Sequence, residues 1–297
     1  MSSTRVTPIP ALSRSWAYVA LAKPDVTFLV VLTTMAGFYL GAAGSVNPLA
    51  MFNAVFGTTL VAAGTAALNQ YIERSSDARM RRTSSRPLPL GVLRPVEALT
   101  FGSGLVLLGG FYLILLSNWL ACFLALLTAA LYLGCYTPLK RRTTWATAVG
   151  AFPGALPPLI GWAAARGSLG GEAWLLFAIL FLWQFPHFYS IAWMYREDYA
   201  RAEIRMLPVI DRAGSATFGQ IIFTAAALVP VSLLPSVVGL AGIRYFFGAL
   251  ILGMALVQVC LWASRNRTNF RAKWLMHATV AHIPLLLGLL MLDKVVR

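Results

Sequence analysis

Asn69, Glu73 and Asp77, near the end of an apolar stretch, are spaced i, i+4, i+8. At about 100° per residue each step moves round a helix by only about 40°, so the three share one stripe. An amide oxygen and two carboxylates on one stripe make a hard-oxygen surface. Mg2+ prefers a few carboxylates together with waters and phosphate oxygens to a closed protein cage. Arg74, Arg79, Arg81, Arg82 and Arg86 lie in the same segment and supply guanidiniums suited to phosphate. Carboxylates for a metal beside guanidiniums for phosphate is the combination a diphosphate needs. The competing reading is a solvated helix end whose acids pair with neighbouring arginines, and spacing alone leaves both open.

A second cluster repeats this chemistry. In FLWQFPHFYSIAWMYREDYARAEIRMLPV, Glu197 and Asp198 stand among Arg196, Arg201 and Arg205. Two such helix ends facing each other could hold Mg2+ and diphosphate between them. Lys140, Arg141 and Arg142 in YTPLKRRTTW are, taken alone, topology signals. His187 follows Pro186 and is flanked by Trp183, Phe185, Phe188 and Tyr189. An ionisable group inside an apolar run is a functional-site hypothesis; its jobs range over haem contact, proton transfer and a neutral hydrogen bond to another helix. His277 and His282 are five apart, about 140° round a helix, and do not readily share one ligand.

The elements that must position these residues are legible from composition. Of 297 residues 59% are hydrophobic and 11% charged, and mean hydropathy is +0.72. That excludes an ordinary soluble enzyme, a disordered chain and a nucleic-acid-binding domain, and predicts an all-α polytopic membrane protein. Apolar runs at about 26–44, 50–70, 97–116, 119–137, 146–164, 173–194, 216–236, 240–263 and 275–293 give nine spans. The net charge of +14 is clustered between these runs. With the N-terminus cytoplasmic, 20 of the 24 Lys/Arg fall on the cytoplasmic side, as the positive-inside rule requires of nine spans. Six of the ten acids lie within 71–95 and 195–213, so chemistry is expected on that side. Cys122, Cys135 and Cys260 lie in apolar runs without CxxC spacing and read as buried free thiols. The fifth run, GAFPGALPPLIGW, is rich enough in Pro and Gly to be either a broken helix lining a pocket or a tightly packed one. Residues 1–25 read as a retained cytoplasmic tail rather than a signal peptide, and 26–297 as a single nine-helix domain around a central cavity.

NQYIERSSDARMRRTSSRPLP (69–89), YTPLKRRTTWATAVGAFPGALPPLIGW (136–162) and the 181–209 segment quoted above resemble the intramembrane prenyltransferases that include the 4-hydroxybenzoate polyprenyltransferases. The likeness is greatest to the haem O synthase, or protohaem IX farnesyltransferase, branch. The resemblance implies transfer of a farnesyl group from farnesyl diphosphate to a vinyl group of haem B, with Mg2+ as cofactor. It places Asn69, Glu73, Asp77 and Asp198 at the metal and the reacting diphosphate. Arg74, Arg81, Arg82, Arg86, Lys140, Arg141 and Arg201 are the implied diphosphate ligands, and His187, Trp183 and Tyr189 the implied haem contacts. There are departures: Glu73 stands where the family motif has Asp, Ala202 where the wider superfamily has a second acid after Asp198, and Glu203 where relatives usually have Gly.

Prenyl transfer to an aromatic acid or quinone precursor is the alternative within the enzyme class, and the second and third segments argue against it. A haem or anion transporter would explain the basic mouth, but it predicts internal repeats, which are not evident. A non-catalytic haem chaperone would need His187 but not the acidic stripe. The expected setting is the inner membrane of a bacterium, with the mitochondrial inner membrane as alternative. The expected partners are the lipid bilayer, farnesyl diphosphate, haem B and a downstream haem-modifying oxidase, and no nucleic acid. The charge asymmetry makes a topological prediction. In intact cells an impermeant thiol reagent should reach Gly167→Cys and spare Ser84→Cys; the reverse pattern moves the acidic stripe to the other side of the membrane.

Overall fold

The computed structural model describes residues 13–295, so the first twelve residues of the expected tail lie outside the described residues. Among the described residues nine helices are long and apolar enough to cross a membrane. They run Pro24–Gly41, Pro48–Asp77, Pro95–Leu116, Trp119–Leu139, Ala146–Arg166, Gly171–Met194, Ser215–Val237, Ile243–Arg265 and Asn269–Leu292. All nine apolar runs correspond to helices, and the chain is a multi-pass membrane protein. The starts follow local chemistry. Proline occupies the first turn of the first three spans, where its missing N–H is not needed. Asn47, Asn118 and Thr268 accept backbone N–H groups as N-caps.

The spans form two groups. The first five close on one another, with the second against the third and the first against the fifth, while the sixth, seventh, eighth and ninth close similarly. The fifth and sixth spans, and the first and ninth, join the halves. The fifth span settles its two readings by fulfilling parts of both. It breaks at Leu156, between Ala146–Ala155 and Pro157–Arg166, where Pro157 and Pro158 cannot donate. It also packs very closely, since a Cβ on Gly161 would overlap the Thr34 carbonyl oxygen and one on Gly37 the Pro158 carbonyl oxygen.

At the end of the bundle away from the acidic stripe, two of the few basic residues are committed to the backbone. Lys294 donates to the Tyr39 and Ala42 carbonyls, both at 2.7 Å, and Arg166 to Gly41 at 2.6 Å. They satisfy the carbonyl end of the first span, where positive charge is favoured. The three cysteines are free, but Cys135 is exposed, against the expectation that all three are buried. An apolar run does not say which side of its helix faces a neighbour.

The Gly37–Gly161 crossing should be intolerant of a methyl group. Gly161→Ala should lower stability in detergent by about 1–3 kcal/mol through overpacking. Gly104→Ala, where the added Cβ meets nothing within 4 Å, should be close to neutral in the same thermal melt.

Candidate active site

The second span is 30 residues long. At about 1.5 Å per residue it extends ~45 Å, well beyond a hydrocarbon core of about 30 Å. It is therefore longer than a crossing requires, and its last turns, still continuous helix, carry Asn69, Glu73 and Asp77 on one side. Asn69 and Asp77 are each only 1% exposed, and the Glu73 side chain 14%. The stripe is thus not a solvated helix end: its acids pair with cations, but in a buried setting.

Each member has a cation at hand. Lys140 donates to Glu73 at 3.0 and 3.2 Å. Asn69 donates through Nδ2 to Glu73 at 3.0 Å and to Thr137 at 3.1 Å, and its Oδ1 accepts from Lys23 Nζ at 2.8 Å. Arg86 donates to Asp77 Oδ2 at 2.7 Å. The other Asp77 oxygen, Oδ1, is buried with no hydrogen-bond partner. A buried carboxylate oxygen left unpaired is costly.

The fourth span delivers Thr137 and Lys140 through a π-helical turn at Leu131–Tyr136, the kind of widened turn that recurs at functional sites. Thr137 donates to the Tyr132 carbonyl at 2.8 Å, which leaves its oxygen free to accept from Asn69. The Lys140 ammonium sits 4.3 Å from the centre of the Tyr136 ring. Burial works against its charge, but Tyr136 and Glu73 outweigh burial and hold its pKa well above the usual lysine value.

Lys23 reaches the stripe from the corner before the first span, with φ of 47° in the left-handed region. Burial, with Arg86 and Lys140 close by, pushes its pKa down to about 7. Sequence reasoning missed Lys23 and Thr137. Lys23 lies 46 residues before Asn69 and looked like one more topology charge, and Thr137 is a neutral residue beside a conspicuous basic triplet.

Asp198 stands at the other helix end, in the short helix Arg196–Arg201. It pairs with Arg201 and accepts the Arg82 backbone N–H at 3.1 Å, so both its oxygens are engaged. Among the described residues no three His, Cys, Asp or Glu stand together closely enough to hold a metal ion. Glu203 adopts φ of 57°, a conformation that favours glycine, and ion-pairs with Arg79 at 3.2 Å and Arg141 at 3.3 Å. Arg74 folds back over the Tyr71 ring and donates to the Tyr71 carbonyl.

Two clefts open at this end. One of about 360 Å³ is lined by Glu73, Ser76, Thr137, Arg141 and Arg142 among others. One of about 430 Å³ is lined by Arg81, Arg82, Tyr195, Glu197, Asp198 and Arg201 among others. Deeper in the sixth span, Trp183 and His187 stack with ring centres 4.9 Å apart, and His187 bonds to Thr279 of the ninth span. Tyr189 points elsewhere and donates to Gln220 of the seventh span at 2.7 Å.

The donors fit a hard divalent cation. Asn69 Oδ1, the Glu73 carboxylate and the unpartnered Asp77 Oδ1 are all oxygens, and lysines now stand against the first two.

Comparison with known proteins accords with this geometry. The profile of the UbiA prenyltransferase family matches residues 30–281. A protein of Solibacter usitatus named Protoheme IX farnesyltransferase is 47% identical over 93% of this chain and 98% of its own length. In overall shape the chain is similar to a digeranylgeranylglyceryl phosphate synthase, with a TM-score of 0.77 at 16% identity, covering 94% of this chain and 98% of that one. It is also similar to a UbiA homolog from Archaeoglobus fulgidus bound to GPP and Mg2+, with a TM-score of 0.62 at 13% identity, covering 92% of this chain and 99% of that one.

Lys23 should titrate near neutrality. Competitive amine acetylation followed by peptide mass spectrometry should give it a midpoint near pH 7 against an ordinary 10.5, while Lys140 stays protected. Between these values the unfolded chain binds more protons than the folded one, so this group's contribution to stability rises with pH. Lys23→Met should flatten that rise. A Lys23 midpoint near 10 overturns the assignment.

Proposed function

We propose that this chain, which belongs to the UbiA prenyltransferase family, transfers a farnesyl group from farnesyl diphosphate to a vinyl group of haem B, addition of water then giving haem O. The observation that carries this reading is the near-full-length likeness to a protoheme IX farnesyltransferase. The stripe of buried oxygens supports a diphosphate as the leaving group.

Asn69, Glu73 and Asp77 would hold Mg2+, and Asp198 would have to release Arg201 and the Arg82 N–H to join them. The ion supplies positive charge to the departing diphosphate. The chain's own residues do the rest. Lys140 and Lys23, displaced from Glu73 and Asn69, remain close enough to take phosphate oxygens. Arg86 already stands at Asp77, and Arg81, Arg82, Arg141 and Arg201 line the flanking clefts. Arg74 would have to leave the Tyr71 ring to join them.

An allylic diphosphate ionises when its leaving group is neutralised, and the resulting cation must be kept from water. An intramembrane chamber meets that need, and aromatic faces can stabilise positive charge there. Both substrates are lipid-soluble and can enter from the bilayer. The haem propionates can rest against arginines of the basic end. We place the protein in a bacterial inner membrane with the basic end cytoplasmic, and a downstream haem-modifying oxidase as the consumer of the product.

Haem extracted from cells that express the chain should contain the hydroxyethylfarnesyl derivative by mass spectrometry, in an amount that rises with added farnesyl diphosphate. Asp77→Ala should cost roughly 3–4 kcal/mol of transition-state stabilisation, by analogy with a lost oxyanion donor, or about 10² to 10³ in rate. Haem binding should survive this change. Glu73→Asp should be mild or beneficial. Near-normal turnover of Asp77→Ala, or equal product formation in EDTA, removes the metal-diphosphate assignment.

A further inference from the structure

Glu203 stands just past the short helix Arg196–Arg201, where the chain turns back. The Ile204 N–H donates to the Tyr199 carbonyl at 2.9 Å and the Glu203 N–H to the Ala200 carbonyl at 3.1 Å. That pair of bonds is a Schellman motif, and Glu203 occupies its left-handed position with φ of 57°. Glycine fills such a position without steric cost, and a residue with a Cβ does not. The chain is pinned on both sides of it. Ala202 and Ile204 are buried against Met80 and Met206, and the Arg205 N–H donates to the Lys140 carbonyl at 2.8 Å. Any gain from glutamate here therefore lies in its side chain.

The carboxylate bridges two arginines from different loops. Oε1 pairs with Arg79, from the loop after the second span, at 3.2 Å. Oε2 accepts from Arg141, from the loop after the fourth, at 3.3 Å. Among the described residues neither arginine ion-pairs with another acid. Arg141, Arg142 and Ile204 line the cleft of about 360 Å³ together with Glu73 and Thr137. Glu203 thus sits at the rim of that cleft, next to a wall residue and holding another. Its side chain is 67% exposed, where that of Asp77 is 1% exposed. Water screens exposed pairs, so these two break easily while the Asp77 pair does not. A guanidinium fork that holds a carboxylate holds a phosphate by the same donors.

We propose that Glu203 is a displaceable internal counter-anion. It holds Arg79 and Arg141 while the cleft is empty and yields them to the diphosphate of the substrate, and so sets how tightly a diphosphate binds. This rests on the reading that a prenyl diphosphate occupies this end of the bundle. A diphosphate carries more charge than one carboxylate, so the exchange favours the ligand. Glu203 lowers the affinity by competing, and it gives the arginines a partner to return to when the product diphosphate leaves. No covalent bond is made or broken in the exchange.

The test is calorimetric titration of the purified full-length protein, in detergent, with inorganic diphosphate and Mg2+. Glu203→Gln removes the charge alone, and Glu203→Gly also suits the left-handed backbone, so the pair separates charge from fold. Both should bind diphosphate about three- to tenfold more tightly than the wild type, the range that two exposed ion pairs allow. The KM for farnesyl diphosphate should fall in proportion. Arg141→Gln should weaken binding more in the Glu203→Gln background than in the wild type, because its competitor is gone. A mere tie between loops gives the opposite result, since its loss loosens the mouth and weakens binding.

Unchanged or weaker diphosphate binding in either Glu203 variant overturns the proposal and leaves the function standing if haem O is still formed. A protein that binds no diphosphate in any of these forms overturns both. Tighter binding in the variants of a protein that forms no haem O supports the counter-anion and overturns the acceptor assigned above.

Discussion

Burial of carboxylates at the end of a membrane helix is the constraint on which the rest of this structure depends. A charge removed from water costs several kcal/mol unless it is paired and hydrogen-bonded. The bundle meets that need from separate places in the chain: Arg86 from the loop after the second span pairs with Asp77 and Lys140 from the end of the fourth with Glu73, while Lys23 from before the first span bonds the Asn69 amide oxygen between them. The π-helical turn in the fourth span and the left-handed corner at Lys23 both bear on these pairings. One sets where Thr137 and Lys140 emerge, and the other bends the chain beside the stripe. Removal of one partner would leave a buried charge uncompensated, typically a loss of about 3–5 kcal/mol. The site and the stability of this end of the fold are therefore parts of one network.

The apolar packing below gives that network a rigid base. The first and fifth spans approach until backbone meets backbone at Gly37 and Gly161, and the second and third do the same at Gly64 and Gly102. Within the bilayer such contacts, rather than hydrophobic exclusion from water, hold helices together. The helices carrying Lys23 and the acidic stripe are thus fixed at short range to their neighbours. The loops above are held by polar links of a weaker kind: Glu203 to Arg79 and Arg141, and the Arg205 N–H to the Lys140 carbonyl at 2.8 Å. Exposed ion pairs contribute little individually. The lower part is therefore the stiffer one, and the loops are the part more easily displaced by an arriving ligand.

Much of this was legible in the sequence for definite reasons. Nine apolar runs must become nine helices because lipid offers no partner for backbone groups. The i, i+4, i+8 spacing of Asn69, Glu73 and Asp77 carries over because the second span stays helical to Asp77. Glu203 in place of a family glycine was a visible anomaly, and it does occupy a glycine-like conformation. What stayed hidden depends on contacts remote in sequence. Nothing near Lys23 says that it reaches Asn69. A π turn is one residue of slack in the hydrogen-bond ladder and has no composition of its own. The guanidinium of Arg74 belongs to Tyr71 because the side chain folds back on its own helix, which spacing does not reveal. Cys135 lies on this widened turn and is exposed, which its apolar run does not disclose.

The same network explains how one site can be stable when empty and receptive when filled, on the function proposed above. Without substrate, Glu73 is neutralised by Lys140, and Asn69 Oδ1 is occupied by Lys23. A metal–diphosphate pair brings both signs of charge together. Its cation can take the oxygens from the lysines while its phosphates take the lysines from the oxygens. Every group then exchanges one partner for another of the same kind, and no buried charge is left unpaired along the way. Lys23 suits this exchange especially well. Its pKa near 7 reflects burial among other cations, and an incoming anion reverses that penalty by favouring the charged amine.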